Sequence, residues 1–426
     1  MGGMAAKRYY FLRASTFFLG FGIAISISGA DLVLQKIPPL TVAQAPNYPQ
    51  NLARFDLGAQ IESDVPDDAS SSVPFLSGDP ASVYGLRTGR TRLLISLAQI
   101  ENIGSIAFLN SEAKGTVTIA MSSAKLSPES PQWHDAGEEE LSSGLISARI
   151  GPAEAKYVRL TFNVRSPGRI GSLGIYSAAP VSDFTMPRAR KIAAASSADA
   201  RAKANYNLAD LHAKARTIFV SSGDDFKLAY NMIDGQPGTA YGFAANDAAP
   251  AAIIDLGHSV PVNRISTFST SSSATVTFYL LGALPGNNTG NPGSSLRIDS
   301  PTLAAFKTVG TGSDDGSGRV AVNFEETTGR YVMLVWALST RNANFSVAEV
   351  AVFGPASNAR LLAANTDGKN VSDASKDKTV REFKETKDFK EIPGEGPAEA
   401  PAEGPAPELP RPPPFVFIPR VVPTSP

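Results

Sequence analysis

Residues 76–86, LSGDPASVYGL, and residues 233–243, IDGQPGTAYGF, are one phrase written twice without a gap. Each copy runs from an apolar anchor through a Gly turn and a Pro to a hydroxyl residue, Ser82 or Thr239. Each then ends on an aromatic-Gly-apolar triplet. Tyr84 and Leu86, like Tyr241 and Phe243, alternate with other residues at the period of a short strand that buries one face. A repeated phrase of this length marks a duplicated domain, so the flanking sequence should match in the same order.

It does. Upstream, Asn51-Leu52-Ala53 returns as Asn207-Leu208-Ala209. Downstream, Leu94-Ile95-Ser96-Leu97 returns as Ile253-Ile254-Asp255-Leu256, and the Gly115–Ala120 stretch returns as Ala274–Leu280. The copies close with Ala155–Leu160 against Gly329–Leu334 and Ile170–Tyr176 against Val347–Phe353. The spacing between partners grows from 156 residues at Asn51/Asn207 to 177 at Ile170/Val347, so the second copy has longer loops. The matched blocks are short alternating strands separated by Gly, Pro, Asn and Ser, with no strand-helix-strand rhythm. They predict an all-β chain of two tandem antiparallel jelly-roll β-sandwich domains, Tyr48–Ser177 and Asn205–Pro355.

Composition agrees. A chain of 426 residues has room for two or three cores, and 36 Gly with 32 Pro favour turns over helices. The net charge of −1 lacks the basic excess that a nucleic-acid partner demands. With no cysteine, disulfides, thiol catalysis and thiolate metal sites are excluded, leaving His134, His212 and His258 as the imidazoles.

The two ends read differently. Lys7, Arg8 and Arg13 precede the apolar run Thr16–Ile27 and the small residues Ser28-Gly29-Ala30, the pattern of a secretory signal over residues 1–30. That predicts an exported protein: periplasmic, cell-surface or secreted. Leu32–Leu34 leave a second reading open, an uncleaved membrane anchor. Between the copies, residues 178–204 read as a linker with helical composition around Met186–Ala204. After Pro355 the composition turns to charge and then to Pro and Glu, which predicts a disordered tail over residues 356–426 ending in the apolar patch Phe415–Ile418.

The matched blocks resemble the discoidin domain, the coagulation-factor C-type module of the galactose-binding-like jelly-roll superfamily. The likeness is fullest in the second copy. Asn207-Leu208-Ala209 resembles the family's opening, Asn231–Gly235 through Thr239-Ala240-Tyr241 its Asp-Gly loop, and Ile253–Gly257 its buried strand. Phe306–Val309, Gly329–Val332 and Ala348-Glu349-Val350 complete the order. The first copy matches through its kinship with the second, and the family's loop Trp is Tyr241 here and Tyr84 there. The resemblance implies ligand binding at loop tips, commonly of glycans, and no catalysis.

Three oxygen-bearing positions change together between copies: Asp234 is Ser77, Thr239 is Ser82 and Glu349 is Ser172. In the resembled family the Asp-Gly loop and the Glu before the last strand meet at a calcium ion. The resemblance therefore implies a structural Ca²⁺ site at Asp234, Thr239 and Glu349, in the second copy alone. The other reading makes Asp234 a turn cap and Glu349 a solvated or paired side chain. For a sugar ligand, aromatic faces and polar donors are wanted, and Trp336, Arg341, Asn342, Asn344, Phe226 and His258 are the candidates in the second copy. Each also has a plainer role: Trp336 in the core, the Asn residues in turns, His258 in an exposed Gly-His-Ser turn. Trp133, aligned with Phe306, belongs to a strand core, and His134 beside it to the surface.

The acidic doublets Asp314-Asp315 and Glu325-Glu326 are the visible carboxylate pairs, but neighbours on a strand face opposite ways. No nucleophile elbow, zinc helix or phosphate loop is present in the sequence. The expectation is thus a non-enzymatic protein binding a glycan or cell-envelope polymer. The alternative is an adhesion module that binds another protein, and a glycoside hydrolase comes third.

Overall fold

The computed structural model describes residues 31–64, 73–178, 207–270, 273–285, 295–340 and 343–355. Residues 1–30, expected to be a signal, the linker from 179 to 206 and the tail lie outside the described residues. Among the described residues no helix is long and apolar enough to cross a membrane.

Strand β1, Leu32–Lys36, precedes the first copy, which contributes β2 (Gln60–Ser63), β3 (Val83–Leu86), β4 (Gly89–Ser111), β5 (Lys114–Ser122), β6 (His134–Glu140), β7 (Gly144–Ser166) and β8 (Gly168–Ser177). At about 3.3 Å per residue, a straight β4 or β7 would span roughly 75 Å, about twice the width of such a domain. Both bend. Their register slips between Ser96 and Glu101 and again between Ile103 and Ser105. The halves before and after the bend join different layers. One layer runs β2, first half of β4, second half of β7, β5, β6. The other runs β3, β8, second half of β4, first half of β7. Alternate residues Leu93, Ile95, Leu160 and Phe162 of one layer meet Ile106, Phe108, Ile146 and Ile175 of the other in one core. Phe108 and Phe162 pack edge to face at 5.8 Å.

The second copy repeats this with β9 (Arg216–Val220), β10 (Tyr241–Phe243), β11 (Ala251–Ser269), β12 (Ala274–Leu281), β13 (Ser295–Ile298), β14 (Thr308–Ser313), β15 (Arg319–Leu338) and β16 (Phe345–Phe353). Long β11 and β15 slip register between Asp255 and Val260 and split between layers as β4 and β7 do. The first half of β11 pairs with β9 and its second half with β16, which carries β10. β12 then links β15 to β14. Strand for strand, β9, β10, β11, β12, β14, β15 and β16 stand where β2 to β8 stand. The opening Asn does the same work twice. Asn51 Oδ1 accepts from the amides of Ala53 and Ile175, and Asn207 Oδ1 from those of Ala209 and Val352, tying each copy's entry to its last strand.

Two features depart from the expectation. First, β1 belongs to the second sandwich: it pairs with β13 and β9, and Leu32 and Leu34 help cover the outer face of that sandwich with Ile298 and Leu303. Leu32–Leu34 are therefore strand rather than the end of a membrane-spanning helix. Secondly, Ile37, Ala45 and Tyr48 sit in the second core, while Leu52 and Ala53 sit in the first. The boundary placed at Tyr48 moves to Asn51, and the first sandwich is an insertion between β1 and β9. The long loop of the second copy that holds β13 and the helix Ser300–Ala305 exists to make this third layer, since Ile253, Met333, Val335 and Tyr279 point outward and need cover.

Candidate functional site

The turn Phe226–Ile233 is capped by Asp225, whose carboxylate accepts from the Lys227 amide, and anchored by buried Met232 and Ile233. It delivers Asp234 to a position 1% exposed. Gly235 follows at φ +70°, and its counterpart Gly78 at φ +78°, a left-handed conformation that explains why both copies keep glycine there. Asp234 accepts from the Gln236 amide at 2.9 Å, from Gln236 Nε2 at 2.9 Å and from Thr239 Oγ1 at 3.0 and 2.9 Å. Thr239 Oγ1 also lies 3.0 Å from the Gln236 carbonyl. Glu349, on β16 opposite Phe268, is 7% exposed, and its Oε1 has no hydrogen-bond partner among the described residues.

Burial pushes the Asp234 carboxyl up to about 8. Burial, and after it the Asp234 charge, raises Glu349 as well, while Arg54 of the first sandwich and the Gly235 amide pull it back. Arg54 and Ser172 of the first copy share a small cavity with Gly235 and Glu349. The buried Glu349 carboxyl thus shares its cavity with one guanidinium.

These residues fit an oxygen-seeking cation. Calcium holds six to eight oxygens at about 2.3–2.6 Å, which spaces neighbouring ligands about 3 Å apart. The Asp234 carboxylate, the Thr239 hydroxyl and the Gln236 carbonyl have that spacing, and the hydroxyl has only one hydrogen for the three oxygens around it. Asp234, Thr239 and Glu349 would hold the ion, which would neutralise buried charge and brace the loop. Among the described residues no three His, Asp or Glu side chains group at a metal-holding distance, so neutral oxygens would complete the shell.

The first copy solves the same problem differently. Its acid stands two positions further on, at Asp79, which still binds the loop through the Ala81 amide and Ser82 Oγ. Asp79 also accepts from Arg264 Nε and Nη2 of the second sandwich at 3.0 and 2.8 Å, and from Ser266 Oγ at 2.7 Å. Sequence comparison missed this pair. Gly78-Asp79-Pro80 was visible, but its partner lies 185 residues away.

The candidate ligand residues do not converge. Trp336 is wholly buried, packed 5.6 Å from Phe243 and 5.8 Å from Phe345, so its ligand-binding assignment is corrected: an indole sealed among apolar rings presents no face to a sugar. Phe226 is half-buried against the same core. His258 is exposed in the register slip midway along β11, Asn344 is exposed just before β16, and Arg341 and Asn342 lie outside the described residues. A polar cluster follows β9. There Ser221 and Ser222 both donate to Asp247 Oδ2 at 2.5 Å, and Ser222 receives Tyr241 Oη. Trp133 is 9% exposed, donates to the Ser127 carbonyl and carries Arg159 over its ring, with His134 exposed beside it.

No family model and no curated protein matches the chain. Among solved structures, it is similar to a serum F-lectin (fucolectin) of striped bass, Morone saxatilis. The identity is 15%, over 71% of this chain and 98% of that one, with a TM-score of 0.25. It is also similar to the CBM32-1 and CBM32-2 domains of Clostridium perfringens ZmpB, at 13% identity over 70% and 92%, with a TM-score of 0.27. A GH29 fucosidase of Ruminococcus gnavus is 17% identical over 35% of this chain, with a TM-score of 0.28, and only 26% of the fucosidase is spanned. All three likenesses are at low identity.

Proposed function

We propose that the chain is a non-catalytic binding protein whose second jelly roll takes a carbohydrate at the loop end bearing Asn344, with calcium bracing its Asp-Gly loop. The observation that carries this is the strand-for-strand duplication of a jelly roll whose motif order resembles the discoidin family, in which loop tips commonly bind glycans. Carbohydrate binding is also what the names of the fucolectin and of the CBM32 domains state of those proteins. The acidic doublets are accounted for without a substrate. Asp314 caps the Gly316 and Gly318 amides and Asp315 the Ser317 amide, while Glu325 and Glu326 are exposed neighbours on β15.

On a glycan array the chain should bind one glycan class, and Asn344→Ala should weaken that binding about tenfold, or about 1.4 kcal/mol. No glycan binding together with capture of a protein partner would move the assignment to an adhesion module. Turnover of chromogenic glycosides would overturn the non-catalytic reading.

For the ion, saturating calcium at 100 times Kd adds about 2.7 kcal/mol to the native state. The melting temperature with calcium should exceed that with chelator by roughly 5–10 °C. Asp234→Asn should abolish the difference. Equal melts in the unmodified chain would eliminate the site.

A further inference from the structure

The surfaces flanking the Asp-Gly loop and its first-copy counterpart, Ser77-Gly78-Asp79, are spent on each other. The Gly235 carbonyl receives three donors from the first sandwich: Tyr176 Oη at 2.9 Å, Arg54 Nη2 at 3.4 Å and Asn51 Nδ2 at 3.5 Å. In return, Asp79 of the first loop receives the Arg264 guanidinium and Ser266 of the second sandwich. Arg319, stacked on Phe268, donates to the Pro80 carbonyl. Leu145 closes the contact so tightly against Gly238 that a Cβ there would lie 2.8 Å from its Cδ2.

Most of these groups are buried: Arg54 is 6% exposed and Asp79 is 8%. The Arg264–Asp79 pair keeps both charges partnered only in this one docked geometry, so removing either partner would leave the other buried and uncompensated. Chain topology adds to it. The first sandwich is inserted between β1 and β9, so it is connected to the second at both its ends.

We propose that the first sandwich is a fixed structural partner of the second, docked on its Asp-Gly loop, and that the two unfold as one body. This goes beyond the carbohydrate reading and does not depend on it. It assigns the first copy's departures from the repeat. Arg54 stands where the second copy has Asp210, and Asp79 where it has Gln236; both serve the interface. The occupied loop faces are closed to ligand.

Calorimetry of the full chain should show one main transition with equal calorimetric and van't Hoff enthalpies. Arg264→Glu, which sets a second carboxylate against Asp79, should split it into two, and adding Asp79→Arg should merge them again. Because the chain has no cysteine, Leu145→Cys with Gly238→Cys gives a clean second readout: a disulfide that closes on oxidation and is seen as a gel shift. Asp79→Asn, isosteric and harmless to either core, should slow that closure about tenfold. Two independent transitions in the unmodified chain, a single unshifted transition in Arg264→Glu, or closure unaffected by Asp79→Asn would each overturn the proposal.

Discussion

A chain that begins at Asn51 should melt about 10 °C below one that begins at Asp31, although the residues removed lie outside both copies of the repeat. Leu32, Leu34, Ile37, Ala45 and Tyr48 are all buried in the second sandwich. Burying a large apolar side chain is worth roughly 1.5–3 kcal/mol, so these five represent on the order of 8 kcal/mol gross. About half of that is offset by the entropy of ordering the segment, which the shortened chain no longer loses. A net loss of roughly 3–5 kcal/mol corresponds to about 6–15 °C in a unit of this size. The deletion also uncovers the edge of β9 and the outward side chains of Ile253, Met333 and Val335, an apolar strip next to unpaired backbone. Binding of a hydrophobic dye should therefore rise before melting begins. A synthetic peptide of residues 31–48, supplied in excess, should restore the melt by occupying the vacant edge. A melting temperature within 2 °C of the longer chain, with no dye binding, would show that β1 is ornamental.

What the sequence revealed and what it concealed follow the same physics. The repeat was legible because both copies keep one hydrophobic period through every matched strand: Leu93, Ile95 and Leu97 face the first core as Ala252, Ile254 and Leu256 face the second. The fold class came with it. Asp234, Thr239 and Glu349 were visible because the first copy replaces all three at once; in the fold Asp234 and Glu349 are buried, and the half-buried Thr239 bonds to Asp234. The fate of Leu32–Lys36 was not legible. A five-residue strand following an apolar run carries no mark of its own, and its partners at Leu296 and Arg297 lie more than 260 residues away in a loop that only the second copy has. The Asp79–Arg264 contact was hidden for the same reason, since neither residue's local pattern names the other. Trp336 was ambiguous in kind: an aromatic near the end of a strand can turn to a loop tip or to the core, and only the partner rings decide.

Those rings make Trp336 the most sensitive single position in the second core. Trp336→Ala should cost about 3–5 kcal/mol, because the lost indole leaves a cavity that Phe243 and Phe345, themselves held in strands, cannot collapse to fill. In melting temperature this is roughly 6–15 °C. Trp336→Phe should be far milder than its lost volume suggests. The indole Nε1 is buried with no hydrogen-bond partner among the described residues, and an unsatisfied donor costs about 1–3 kcal/mol that phenylalanine does not carry. The two terms oppose each other, so the expected net loss is about 1 kcal/mol, or 2–4 °C. Neither variant should change glycan affinity when measured well below its own melt, since the ring touches no solvent. Chemical denaturation of the three chains, with binding measured on each at low temperature, separates the possibilities. If Trp336→Phe weakens the ligand tenfold while its melt stays put, the indole faces the ligand after all, and the core assigned to it between Phe243 and Phe345 is wrong.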